Sequence, residues 1–389
     1  MPHHPTSPSS LLAAYAPGMS LIATPERTLL GEGALDTTDD LARVPEMLRG
    51  VRDAGWHRDP VAIGAVPFAP DAPAHLTVPA AVHTAPPLAS ARDAAEAAER
   101  RALPGPWKAE ALPEPEEHRT AVQRAVQSLG PDLEKVVLAR SLRLVGPGPV
   151  DAAQVLRNLA WRDPAGFTFA MNLPTRTELP GPRTFIGASP ELLVAKRGDR
   201  ALSNPLAGSR PRSADATKDQ HNAVELLGSA KDRREHALVV DAVAEGLRPF
   251  CTRLDVPGEP ELIRTATMWH LSTRVTGELA DPDTPSVELA RALHPTPAVC
   301  GTPTGAARDA ISRLEPFDRG FYTGAVGYTD ASGDGEWAVA IRCADISGDG
   351  LDLYAGGGIV EGSDPAEELD ETSAKLRTLL LALGINRAL

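Results

Sequence analysis

Residues 322–360 read YTGAVGYTDASGDGEWAVAIRCADISGDGLDLYAGGGIV. Three runs of strand-forming composition stand out: YTGAVGYTD from Tyr322, EWAVAIRCADI from Glu336 and LDLYAGGGIV from Leu351. Asp, Ser and Gly punctuate them, as expected of strands bordered by turns. A helix is expected immediately afterwards, over 365–383, because Ser363 and Asp364 are cap candidates and Pro365 occupies a first-turn position. Upstream, apolar residues recur at helical spacing from Thr217 to Phe250, with Gly228 marking a break between two helices. Before that lies a second strand-rich block, comprising VVLARSLRLV from Val136, FTFAMN from Phe167, TFIGAS from Thr184 and ELLVAKRG from Glu191. Strands and helices come in blocks without regular β-α alternation, so the fold class is α+β, not a doubly wound parallel sheet.

The first ~110 residues are rich in Ala and Pro. VAIGAVPFA from Val61 reads as strand and ASARDAAEAAERR from Ala89 as helix. LPGPWKAEALPEPEEH, from Leu103 to His118, reads as a Pro-punctuated connector. The chain has 389 residues, 42% hydrophobic and 23% charged, which suffices for a large buried core. A formal net charge of −13 disfavours nucleic acid and anionic membrane as partners, but leaves room for a small anion at a site that concentrates cations. Cys251, Cys300 and Cys343 fit neither a disulfide framework nor a C-x-x-C metal site, as expected in a reducing cytoplasm. No segment has the length and apolarity of a membrane span.

Several residues carry candidate chemistry. In KDRREHALVV, Asp232 and Glu235 are three apart and share a helix face; in the final helix Glu368 and Glu371 repeat the spacing, with Lys375 four beyond Glu371. Should the faces meet, they form an oxygen-rich pocket suited to Mg²⁺. Spacing alone equally describes two solvated faces with ordinary charge pairs. Lys135 opens a strongly apolar strand, where it is either a desolvated base or a strand-end gatekeeper. Glu191 in GASPELL sits where a turn enters a strand, as a buried acid or a solvated turn carboxylate. Gly208 in NPLAGSRPR could turn backbone amides toward an anion, with Arg210 and Arg212 nearby. His270, between Trp269 and Leu271, reads as a packed core residue. Arg342, between Ile341 and Cys343 in an apolar strand, is costly unless it meets an anion. The glycine run from Ala355 lacks the nucleotide-cradle pattern and suits close backbone approach.

Taken as strings, KVVLAR, GASPELL, NPLAGSRPR, KDRREHALVV, WHLST, HPTPAVCGTP, GAVGY, AIRCA and AGGGIVEGSDPAEELDET followed by Lys375 resemble the chorismate-utilising enzymes. That family contains isochorismate synthases, salicylate synthases and the large subunit of anthranilate synthase. The likeness runs from about Gly130 to the C-terminus and is greatest toward isochorismate synthases of catecholate siderophore pathways. It implies one chorismate-binding domain over 1–389, with a divergent part at 1–110 and the family core at 111–389. The implied fold has two packed antiparallel sheets surrounded by helices, with the active site in the cleft.

The resemblance also implies roles. Glu235 and Glu371 would be direct Mg²⁺ ligands, with Asp232 and Glu368 holding metal-bound water. Lys135 would be the base for water attack at C2 of chorismate, and Glu191 the acid for departure of the C4 hydroxyl. Lys375, Arg342 and the backbone around Gly208 would bind the substrate carboxylates, while His270, Ala298 and Gly356 line the pocket. The family's ammonia-using members carry Gln where Lys135 stands, or Lys where Ala207 stands; this chain therefore favours water as nucleophile. Salicylate synthases show Thr where Ala298 stands, so Ala298 points to stopping at isochorismate. A salicylate synthase and a non-catalytic chorismate-binding homologue are the competing readings. The expectation is a cytoplasmic, monomeric, Mg²⁺-dependent isomerase acting on chorismate.

Overall fold

The computed structural model describes residues 7–90, 101–175 and 181–385. Among these residues the strands assemble into two large antiparallel sheets and one small one. The ten-stranded sheet runs in the order 301–302, 135–145, 350–359, 343–347, 183–189, 167–173, 20–23, 28–32 and 81–85; Lys108–Leu112 also pairs with the Lys135–Val145 strand. The nine-stranded sheet runs 251–255, 275–279, 200–204, 192–197, 335–339, 325–330, 61–66, 75–78 and 36–38. The third sheet joins Leu206–Pro211, Met268–Ser272 and Glu261–Arg264. The N-terminal strands thus extend both large sheets.

The sheets pack face to face because their inward residues are apolar. Ile22, Ile63, Phe169, Phe185, Val326 and Ala338 are buried in one cluster between them, with the rings of Phe169 and Phe185 5.5 Å apart. Each such large side chain contributes about 1.5–3 kcal/mol by leaving water. The outer faces are covered by helices. Ala152–Arg162 and Pro365–Ala382 pack on the ten-stranded sheet through Leu156, Leu159, Leu376 and Leu379. Val44–Asp53, Ala230–Leu247 and Ser286–Leu293 pack on the nine-stranded sheet through Leu48, Val243 and Leu289. This α+β architecture has helices, sheet, sheet and helices as its layers. Among the described residues no helix is long and apolar enough to cross a membrane.

Several local expectations hold at residue level. One helix ends at Gly228 and the next begins at Ala230, with Ser229 capping the second by accepting from the Asp232 N–H. The final helix starts at Pro365, and the Asp364 carboxylate accepts from the N–H groups of Ala366 and Glu367. Other expectations need correction. The connector at 103–118 contains a paired strand, Lys108–Leu112, and the start of the Pro115–Ser128 helix. That helix is opened by the Glu117 carboxylate accepting from the Glu114 N–H. The helix expected from Ala89 falls almost wholly outside the described residues.

The run EWAVAIRCADI is not one strand. Gly335–Val339 belongs to the nine-stranded sheet and Cys343–Ser347 to the ten-stranded one. The chain crosses at Ala340–Arg342, where Arg342 has φ of 52°. Both halves face the core, so apolarity continues across a break in conformation.

Replacing Asp364 with Ala removes the cap of the helix that carries Glu368 and Glu371. Urea unfolding is expected to show a loss of about 1 kcal/mol.

Candidate active site

A cleft with roughly 670 Å³ of empty space, its mouth included, opens where the three sheets and two helices meet. Glu191, Gly208, Glu235, His270, Ala298, Arg342, Gly356, Glu371 and Lys375 all line it. Lys135, Asp232 and Glu368 stand directly behind that lining: Lys135 contacts Glu235, Asp232 backs Gly208 and Glu368 backs Gly357. The sequence-predicted residues therefore converge on one place. They come from the sheets and their connections and from two helices whose first turns meet through Lys231 and Glu368.

Lys135 begins its strand fully buried, with Nζ 3.0 Å from Glu235 Oε1. The ion pair lacks hydrogen-bond alignment, so the Nζ donors are uncommitted. Glu191 is also buried. Its Oε1 accepts a long bond, 3.4 Å, from the Leu206 N–H. Burial pushes its carboxyl up to about 7, against the opposing pull of the Leu206 amide, Lys135, Lys375 and Arg342. A carboxyl so placed carries a proton near neutral pH and can donate it, which is the property required of a general acid.

The carboxylates of the Ala230–Leu247 and Pro365–Ala382 helices face each other across a strand stripped of side chains. A Cβ at Gly357 would stand 2.8 Å from Glu368 Oε2, and one at Gly358 would collide with Glu235 Oε1. Glu368 Oε2 is buried without a hydrogen-bond partner, although Oε1 pairs with Lys231 at 3.0 Å. Burial, then the adjacent Glu371, raises the Glu368 carboxyl to about 7. Burial would also raise Glu371, but Lys375 at 2.6 Å, Ser209 at 2.9 Å and Lys231 outweigh it and keep Glu371 below its usual range. Asp232 is raised by burial and by Glu235.

Like charges gathered in a buried, all-oxygen donor set, with one oxygen orphaned, fit a hard divalent cation. Among the described residues no three His, Cys, Asp or Glu side chains are grouped closely enough to hold a metal ion by themselves. Mg²⁺ takes one or two carboxylates and fills the rest of its shell with water and ligand oxygens.

The same cleft also holds cations and a polar acceptor. Arg342 is buried, its Nη1 has no hydrogen-bond partner, and its backbone occupies the left-handed region that L-residues avoid. A strained, buried and incompletely paired guanidinium is unfavourable until an anion meets it. Lys375 Nζ, bonded to the Gly356 carbonyl at 2.8 Å, supplies a second cation. Gly208, at φ of 75°, forms a bulge opposite His270 in the small sheet. His270 hydrogen-bonds the Gly208 backbone, and its Nε2 is buried and unpartnered. Burial, reinforced by Arg342 and Lys375, holds its imidazole well below its usual range. A neutral ring that donates through Nδ1 offers Nε2 as an acceptor, suited to a ligand hydroxyl and not to a carboxylate.

Sequence reasoning missed other members of the site. Ser209 and Lys231 hold the acidic residues, and both lie inside strings that were singled out, one residue from a chosen position. Val137, Val299, Tyr322 and Thr323 form an apolar wall, and nothing in their composition separates them from core. Arg212, grouped with Gly208 as a possible anion ligand, instead pairs with Asp219 and stacks on Trp269, away from the cleft. Arg210 pairs with Asp232 at 3.8 Å.

Gly358→Ala tests the bare strand. The added methyl meets the Glu235 carboxylate and the buried Lys135 stem, so urea unfolding is expected to show a loss of about 1–3 kcal/mol. Mg²⁺ affinity, read by calorimetry, is expected to fall by about tenfold or more as Glu235 is displaced, within the range seen when metal-site geometry is disturbed.

Comparison with known proteins agrees with this geometry. Over 98% of its length the chain is 47% identical to isochorismate synthase DhbC of Bacillus subtilis (strain 168), covering 97% of that protein. A crystal structure of DhbC from Bacillus anthracis, proposed to be a 2,3-dihydroxybenzoate-specific isochorismate synthase, matches with a TM-score of 0.89. The two are 45% identical, over 97% of this chain and 99% of that one. The menaquinone-specific isochorismate synthase MenF from Escherichia coli matches with a TM-score of 0.79 and 28% identity, over 96% and 91% of the two chains. The family model described as chorismate binding enzyme matches residues 81–384, and the chain belongs to that family.

Proposed function

We propose that this chain is an isochorismate synthase, converting chorismate to isochorismate. The observation that carries the reading is that Lys135 and Glu191 are both buried at one cleft, with the Glu191 carboxyl held near neutrality. In the reaction, Lys135 acts in its neutral form and takes a proton from the water that bonds to C2; the ring double bonds shift, the C4–O bond breaks, and Glu191 protonates the departing hydroxyl. One water enters and one leaves, so the product is an isomer. An acid and a base of different character are needed, because hydroxide is a poor leaving group and water a weak nucleophile.

Arg342 and Lys375 would bind the substrate carboxylates, and His270 Nε2 would accept from a ring hydroxyl; their position at the cleft supports this. Glu235 and Glu371 directly, with Asp232 and Glu368 through water, would hold Mg²⁺, whose charge would offset that of the bound dianion. An acidic protein can thereby bind an acidic substrate. Ala207 and Ala298 both line the cleft and offer neither an amine nucleophile nor a hydroxyl, which supports water as nucleophile and isochorismate as the end point. We place the activity in 2,3-dihydroxybenzoate and siderophore biosynthesis, in line with the DhbC relative structure that matches along nearly the whole chain.

Purified protein incubated with chorismate is expected to yield isochorismate by chromatography, with Mg²⁺ and not without it. Direct appearance of salicylate and pyruvate would overturn the assignment. Lys135→Ala and Glu191→Gln are each expected to lower kcat by about 10²–10⁴-fold; near-normal turnover in either would remove that residue from the mechanism.

The acid role also fixes a pH dependence. Glu191 works protonated and its folded-state pKa is raised to about 7, so kcat/KM should fall as pH rises through that value. A rate that instead climbs through pH 7–8 contradicts the acid role.

A further inference from the structure

Behind the apolar wall lies a buried ion pair that the reaction scheme does not use. The side chains of Arg319 and Glu315 are 2% and 3% exposed. Arg319 Nε donates to Glu315 Oε2 at 2.8 Å and Nη2 to Oε1 at 2.5 Å. The remaining guanidinium bonds all go to residues that line the cleft: Nη1 to the Val299 carbonyl at 2.8 Å and to Thr323 Oγ1 at 3.2 Å, and Nη2 to the Val137 carbonyl at 2.9 Å. The guanidinium also lies over the rings of Phe68 and Tyr322, at 4.5 and 5.9 Å.

The pair stands where the ten-stranded sheet has a gap. The outer edge of the Lys135–Val145 strand is covered by Gly301–Thr302 at Lys135 and Val136, and by Lys108–Leu112 from Ser141 onward. Between them, the Val137 carbonyl accepts from Arg319 and the Ala139 N–H donates to Glu315 Oε1 at 2.7 Å. The two side chains thus satisfy backbone groups that a neighbouring strand would otherwise pair. They do so beside Lys135, and the same guanidinium fixes Val299, next to Ala298.

We propose that Glu315 and Arg319 are positioning residues for the reaction, holding the apolar wall at the setting that presents the substrate ring to Lys135 and Glu191. The inference rests on the isochorismate synthase reading. The groups assigned to the metal and the substrate carboxylates, Glu235, Arg342, Glu371 and Lys375, lie on other elements, so loosening the wall should leave binding of the dianion largely intact. What it should lose is alignment of C2 and C4 between base and acid, where a displacement of about 1 Å costs on the order of 10²-fold in rate.

The test is the double variant Glu315→Gln/Arg319→Met. It removes both charges together, leaves no unpaired buried ion and roughly preserves volume. Expected are a kcat lower by about 10- to 100-fold, with chorismate KM and calorimetric Mg²⁺ affinity within about threefold of wild type. Arg319→Lys keeps the charge facing Glu315 but cannot reach both carbonyls, and should fall between the two.

A folded double variant with wild-type kcat overturns the proposal, as does one in which KM and Mg²⁺ affinity collapse together with kcat. If the double variant does not fold, Arg319→Lys decides by the same kcat-against-KM split. Failure of both to fold would mark the pair as core support and likewise overturn the proposal. Wild-type protein is assayed in parallel. Its inactivity toward chorismate would instead overturn the reaction assignment.

Discussion

Carboxylates from two helices can approach one another in this molecule only because the strand between them carries no side chains at Gly356, Gly357 and Gly358. Gly357 leaves room for Glu368, Gly358 for Glu235 and the Lys135 stem, and Gly356 for the Tyr322 hydroxyl. Glycine weakens a strand interior through backbone entropy and lost packing. Here that cost is borne near one end of the ten-stranded sheet, where the three glycines pair with Val137–Ala139 of the Lys135–Val145 strand, and Cys343–Ser347 on the other flank reaches only Gly350–Leu353. A long, fully paired neighbour on one flank makes the weak segment tolerable.

The approach of those carboxylates sets the electrostatics of the interior. Glu235 faces Lys135, Glu368 faces Lys231, Glu371 faces Lys375 and Asp232 faces Arg210. Buried charges persist only when matched, and matching them one by one produces a lattice of alternating sign. Arg342 is buried at the same cleft with one guanidinium nitrogen left unsatisfied, and Glu371 and Glu191 are among the charges that act on it. The net charge of −13 therefore says little about what the cleft attracts, since local arrangement and not the sum governs the field there.

The sequence disclosed different layers of this organisation unequally. The break at Gly228 and the helix start at Pro365 were legible because their signals are local: a helix-breaking glycine in one, cap candidates ahead of a first-turn proline in the other. The α+β class followed from the blockwise order of strands and helices. The break at Arg342 was not legible, because an apolar run looks the same whether it stays in one sheet or crosses to another. Spacing put Asp232 with Glu235 and Glu368 with Glu371, yet could not say that the two faces meet, since that depends on a third element of bare backbone. Likeness to the chorismate-utilising enzymes supplied the expectation, and the fold supplies its geometry. Glu315 and Arg319 were invisible for a related reason: a charged pair four apart on a chain reads as solvated surface until a gap in a sheet edge is known to lie against it.

The N-terminal strands have a consequence for how such a chain comes into being. Ala62 pairs with Thr329, Leu21 with Ala170, and Asp36–Thr38 joins the nine-stranded sheet only through His75–Val78. A polypeptide made from its N-terminus emerges with Val61–Val66 ready, but that strand's partner on its other side, Ala325–Asp330, is among the last segments to be synthesised. Through most of translation one apolar strand edge must therefore wait uncovered. Pairings so distant along the chain are slow to form and exposed to misassociation meanwhile. The order of synthesis thus runs against the order of pairing, and the nine-stranded sheet can close only once most of the chain has been made.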